Sequence, residues 1–127
     1  MNYLLDTHAW LWWLFEPEKL GPNARAAISD EDAVCGFSAA SAWEIAIKLQ
    51  LGKLSIPGDL SQVLEQLELQ GLRWLEIGRA HCQHFLHLPL HHRDPFDRML
   101  VAQASYEKLP LISKDPWIDS YGLKRIW

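Results

Sequence analysis

Residues 4–15 read LLDTHAWLWWLF, and the way this stretch divides decides the fold. Residues 2–5 form a short apolar run that Asp6 closes, whereas AWLWWLF, from Ala9 to Phe15, is apolar on nearly every face of a helix until Glu16 and Pro17 stop it. The first part is a buried strand and the second a helix that has to be covered. Asp6 sits at the joint, and two readings of it stay open. It caps the helix beginning near His8, or it is a functional carboxylate delivered at the carboxyl end of a strand.

Outward from this joint the same alternation recurs. PNARAAISD, from Pro22 to Asp30, predicts a second short helix with proline in its first turn. AVCGFS, 33–38, is β-compatible. A helix follows from about Ala39 to Leu51, with Ser38 or Ser41 as its cap and Gly52 as its stop. DLSQVLEQLELQG, 59–71, places apolar residues at 60, 63, 64 and 67, a helical stripe ended by Gly71. LRWLEI then reads as a strand and GRAHCQHFLHL as a helix. HHRDPFDRMLVAQASYEK makes another helix, with Asp94 as N-cap and Pro95 at the first helical position. LPLIS, 109–113, is a buried-looking strand and the terminal LKRIW a weaker one. Strands separated by helices imply crossovers, hence one α/β domain over residues 1–127: an α/β/α sandwich with a central, mainly parallel sheet.

Composition sets the outer bounds. A chain of 127 residues buries one core, and 49% hydrophobic with 22% charged residues is a globular composition rather than a disordered or fibrous one. The net charge of -4 gives no overall attraction for nucleic acid, so a polyanionic partner requires a local basic patch or bound cations. Cys35 and Cys82 have no CxxC spacing, which fits a reduced, cytoplasmic protein better than a disulfide scaffold. The N-terminus has no basic region before its apolar stretch and no small-residue cleavage site, and Asp6 and His8 interrupt it. No segment approaches the roughly 20 apolar residues of a membrane span.

Four acids carry the chemical question. Asp6 follows YLL and Asp115 follows LPLISK, each at the end of an apolar strand, where it either caps the next turn or faces a crevice. Glu44, in SAWEIAIK, stands four residues before Lys48; the pairing is either a surface ion pair worth about 0.2–0.5 kcal/mol or part of a polar cleft beside Ala40, Ser41 and Ile45. Asp97 falls in the first turn after Asp94, complementing the helix N-terminus or entering the crevice from a buried helix. Should these carboxylates meet, they raise one another's pKa. A hard divalent cation, Mg²⁺ or Mn²⁺, relieves that conflict with oxygen ligands and retained waters. Such a site activates water and stabilises an anionic phosphodiester displacement. It also lets an acidic chain engage a polyanion.

The segments LLDTHAWLW, SAWEIAIK, HRDPFDRMLVAQA and LISKD resemble, in this order and across essentially the whole chain, the PIN-domain ribonucleases, specifically the VapC-type toxins of bacterial toxin–antitoxin modules. The resemblance implies a PIN-like α/β/α fold and Mg²⁺- or Mn²⁺-dependent endoribonuclease activity. It implies that Asp6 and Asp97 are the principal metal ligands and that Glu44 and Asp115 complete the acidic pocket. Thr7 and Ser113, beside strand-end acids, bond to ligand carboxylates or water, or cap locally. Lys48 and Arg98 are candidates for phosphate contact or for ion pairs with the acids. The same resemblance implies an RNA substrate, a homodimer, and a cognate antitoxin whose C-terminal segment covers an apolar groove and reaches the acids.

Other clusters invite other readings. His81, Cys82, His84 and His87 have neither His-x₃-His nor paired CxxC spacing, so solvated or core-edge histidines are the ordinary reading rather than a zinc site. His91-His92-Arg93 adds positive charge near bound RNA. Trp10, Trp12, Trp13 and Trp43 suit core or partner surface better than base stacking. A PIN-like RNA- or protein-binding module without efficient cleavage is the alternative function. A phosphatase using Asp6 as nucleophile lacks the second acid of a DxDxT pair.

Overall fold

The computed structural model describes the whole chain, Met1 to Trp127. Five strands, β1 (Tyr3–Leu5), β2 (Cys35–Ser38), β3 (Arg73–Leu75), β4 (Leu111–Ile112) and β5 (Arg125–Ile126), form one sheet in the order β3-β2-β1-β4-β5. All four pairings are parallel. The expected mainly parallel sheet is therefore wholly parallel, because helical crossovers separate every pair of successive strands. β1 lies at the centre, with Leu5 opposite Phe37 of β2 on one side and Ile112 of β4 on the other. The chain builds β2 and β3 outward from β1, then crosses to add β4 and β5 on the other side. The winding thus reverses between β1 and β4, the position at which open α/β sheets leave a crevice beyond their carboxyl ends.

Local chemistry sets the helix boundaries. Asp6 caps α1 (Thr7–Phe15), one residue earlier than the sequence pattern suggested. α2 (Pro22–Ser29) begins at its proline. Ser38, rather than Ser41, caps α3 (Ala39–Gln50), its Oγ accepting the Ala40 N–H at 3.0 Å. Asp59 and Gln62 form a reciprocal capping box on α4 (Leu60–Leu69). α5 (Arg79–Leu86) follows β3. Asp94 caps α6 (Pro95–Glu107) by accepting the N–H groups of Phe96 and Asp97 at 2.8 and 3.1 Å. A 3-10 turn over Pro116–Tyr121 connects β4 to β5.

The strand pleat divides the core into two layers. Leu5 and Ile112 face the α1–α4 side, where they pack with Trp10, Phe37, Ile45 and Leu67. Leu4 and Leu111 face the opposite side and pack with Leu100, Val101 and Ala104 of α6 and with Ile118. The result is the three-layer α/β/α arrangement. No helix is long and apolar enough to cross a membrane.

One buried polar group interrupts the α6 core. Gln103, fully buried within MLVAQA, accepts from the Ser38 hydroxyl and donates to the Glu76 carbonyl at 3.1 Å. It thereby ties α6 to the carboxyl ends of β2 and β3. Beside it, His81 is buried, its Nδ1 accepting the Gly78 N–H at 2.9 Å and its Nε2 lying 2.9 Å from Glu107 Oε1. Replacing the amide with an apolar isostere strands the Glu76 carbonyl. Gln103→Leu is expected to lower the free energy of unfolding by about 1–3 kcal/mol in urea, and an unchanged midpoint would contradict this role.

Candidate functional site

Four separate elements deliver the four acids. Asp6 follows β1 directly, and Asp115 lies three residues beyond β4, so the two flank the point where the winding reverses. Glu44 projects from α3, and Asp97 from the first turn of α6. Asp6 and Glu44 are each only 6% exposed, an unusual degree of burial for carboxylates. Asp6 accepts the Ala9 N–H at 2.8 Å on Oδ1, and the nearby Ser113 hydroxyl acts to hold its pKa down. Both readings of Asp6 meet here, because the helix cap is also a buried site residue. Asp115 has no side-chain cap bond; its own N–H donates to Ser113 Oγ at 3.1 Å.

Glu44 is held on both sides. Thr7 Oγ1 donates to Glu44 Oε1 at 2.8 Å and lies 2.9 Å from Ser41 Oγ, while Lys48 Nζ pairs with Glu44 Oε2 at 2.9 Å. The expected i,i+4 ion pair exists, but only its ammonium end is well exposed, at 41% against 8% for the carboxylate side chain. Hydrogen bonding to Glu44 raises the Lys48 pKa. Asp97 is met by His92, whose Nε2 lies 3.0 Å from Oδ2.

Electrostatics link the acids across these elements. Burial pushes Asp6 up to about 7; the Ser113 and Ala9 hydrogen bonds oppose the rise, and the charges of Asp115 and Asp97 add to it. Burial likewise pushes Asp97 up to about 6, with Asp94 and Glu44 adding repulsion and the His92 bond opposing it. Asp6 has no ion-pair partner. No group of three or more His, Cys, Asp or Glu side chains stands together as a ready-made chelate. The donor chemistry nevertheless fits a hard cation. The site offers carboxylate and hydroxyl oxygens, two of its acids are destabilised as anions by burial and by neighbouring carboxylates, and a divalent cation removes that penalty.

The remaining candidates go to other places. Arg98 turns toward α5, its guanidinium 4.5 Å from the Phe85 ring centroid and within 3.4 Å of the Leu88 carbonyl, rather than toward the acids. His81 pairs with Glu107 and His84 with Ser105, so each bridges α5 to α6. Trp10 is fully buried against Phe37, Trp13 donates to Gln70 Oε1 at 2.8 Å, and Trp43 is 61% exposed beside Phe96. Trp12 lines a groove of about 280 Å³ with Leu11, Phe15, Ile45 and Leu54. Thr7 and Lys48, the two partners of Glu44, stand at the same groove, which places it next to that acid. Sequence reasoning missed the His92–Asp97 contact, since the chain reverses at the Asp94 cap between them and no helical spacing predicts it.

The PIN domain family matches residues 3–122 of the chain. No curated protein sequence matches. Among solved structures, VapBC2 from Rickettsia felis bound to a DNA fragment from its promoter superposes with a TM-score of 0.72 at 11% identity over 100% of both chains. A toxin–antitoxin complex from Klebsiella pneumoniae superposes with a TM-score of 0.60 at 14% identity, over 90% of this chain and 87% of that one. FitAcB from Neisseria gonorrhoeae gives 0.61 at 17% identity, over 97% and 95%. At such identities these likenesses speak for the fold, and they agree with the sequence match in extent. With the parallel five-stranded sheet and the match over residues 3–122 in hand, the chain belongs to the PIN domain family.

Proposed function

We propose that this chain is a Mg²⁺- or Mn²⁺-dependent endoribonuclease, the toxin of a toxin–antitoxin pair, which hydrolyses RNA phosphodiester bonds. The observation that carries the proposal is the burial of Asp6, at the carboxyl end of the central strand with no ion-pair partner, together with Asp97 at the start of α6, whose charge adds to the rise at Asp6. Asp6 and Asp97 would hold the cation, with Glu44 and Asp115 completing the pocket directly or through water. When bound, the cation supplies positive charge against the phosphate and lowers the pKa of water. The chain's own part is orientation. Thr7 and Lys48 fix both oxygens of Glu44, the Ala9 N–H fixes Asp6 with Ser113 nearby, and the Lys48 ammonium adds positive charge beside Glu44.

The structural neighbours crystallised as toxin–antitoxin complexes support a protein partner, and the groove beside Thr7 and Lys48 suits an antitoxin segment with apolar side chains. Exposed Trp43 and Leu90 would then contribute to pairing with a second copy of the chain. The competing reading, a PIN-like binding module without efficient cleavage, draws on the lack of a ready-made chelate.

Cleavage separates the two. Asp6→Asn keeps a side-chain oxygen for the Ala9 N–H cap, so the fold should persist, as judged by circular dichroism. Mn²⁺-dependent cleavage of cellular RNA, and growth arrest on expression, should fall to background. Native-level cleavage by the variant would remove the mechanism.

The raised carboxyl pKa values also set a pH dependence for the metal-free protein. Asp6 at about 7 and Asp97 at about 6 lie above the ordinary value of 3.8. The folded chain therefore retains protons that the unfolded chain has released. This contribution to stability is present in acid and is lost as pH rises through 6 and then 7. In chelator, the melting temperature should fall from pH 5 to pH 8; Asp6→Asn should flatten that slope, and Mn²⁺ should restore stability at pH 8. A slope unchanged by Asp6→Asn would contradict the assignment.

A further inference from the structure

His92 lies outside the four acids yet reaches the site through Asp97. Its Nε2 stands 3.0 Å from Asp97 Oδ2. An ionised carboxylate only accepts hydrogen bonds, so Nε2 carries the hydrogen and donates. The imidazole is held from the other side. It stacks on Trp117 with ring centroids 3.9 Å apart and planes within 9°. Trp117 meets Tyr121 edge-on at 6.0 Å, and Tyr121 meets His91 at 5.1 Å. Trp117 follows Asp115 by two residues, and His92 precedes Asp94 by two. The stack therefore joins the segment that carries the fourth acid to the turn that carries the third.

We infer that His92 is a positioning residue for Asp97, clamped by Trp117. Donation to Oδ2 fixes the carboxylate and leaves Oδ1 free for a cation, while the stack holds the segments of Asp97 and Asp115 at one spacing. This rests on the metal-centre reading above. A purely structural role fits the surroundings less well, because both side chains are part-exposed, 29% for His92 and 27% for Asp97, His92 lying in the turn before the Asp94 cap and Asp97 in the first turn of α6 rather than in its core. Removing a group that orients a metal-ligating side chain through a hydrogen bond typically costs about 10–100-fold in metal affinity.

Calorimetric titration of the full chain with Mn²⁺ alone tests this, with urea unfolding run on each variant. His92→Ala should weaken Mn²⁺ binding about 10–100-fold while leaving the urea midpoint close to native. His92→Gln, whose amide can place an N–H near the position of Nε2, should recover most of that loss. Trp117→Ala should weaken binding on its own and add little to His92→Ala. Native affinity in His92→Ala would overturn the inference while leaving the metal centre standing. Equal weakness in His92→Gln and His92→Ala would assign the ring to packing and overturn it as well. An absence of Mn²⁺ binding by the native chain would instead remove the metal-centre reading, and the role of His92 with it.

Discussion

The backbone N–H of Asp6 donates to the Ile112 carbonyl at 3.0 Å. That bond carries the β1–β4 pairing one residue past the end of β1, and the site depends on it. It fixes Asp6 between the two strands where the winding reverses, while the Asp6 side chain turns to cap α1. A single residue thus ends the central strand, starts the first helix and presents a carboxylate to the crevice. Parallel topology does the rest. β2 leads directly into α3 and so to Glu44, the α6 N-terminus presents Asp97, and the exit from β4 leads to Asp115.

Placing carboxylates this way runs against stability. Asp6 is nearly inaccessible to solvent and pushed up to about 7, a value at which a good part of the population stays protonated near neutral pH. A fold selected for stability alone would place an asparagine there, which caps equally well. Strain of this kind concentrates at functional sites, where stability is traded for chemistry. The side chains around the acids limit the penalty without removing it: Ser113 and the Ala9 N–H at Asp6, His92 at Asp97, Thr7 and Lys48 at Glu44.

Much of this was legible in the sequence because the signals were local. Hydrophobic runs marked β1, β2 and β4; Asp94-Pro95 marked the start of α6; alternation of strand and helix implied the parallel sheet. Asp6, Asp97 and Asp115 stood out by their place at strand ends and a helix start, and Glu44 by its apolar neighbours in α3. What stayed hidden depends on pairs distant along the chain or across a turn. Gln103 sits in an apolar run and shows its polar role only once β2 and β3 lie against α6. His92 reads as a loop charge until the Asp94 cap folds it onto Asp97. Arg98 follows Asp97 in sequence, yet the step of about 100° around the helix carries it away from the Asp97 face and onto Phe85. Ser41 and Ser38 are equivalent as caps by pattern, and the end of β2 at Ser38 selects between them.

The central proposal is that the carboxylates of Asp6 and Asp97 together hold a divalent cation. Anomalous diffraction from crystals soaked in Mn²⁺ tests it most directly. The account predicts a manganese peak between those two side chains, at the carboxyl ends of β1 and β4. A well-occupied peak elsewhere, or an empty crevice in crystals whose protein binds Mn²⁺ in solution, would contradict it.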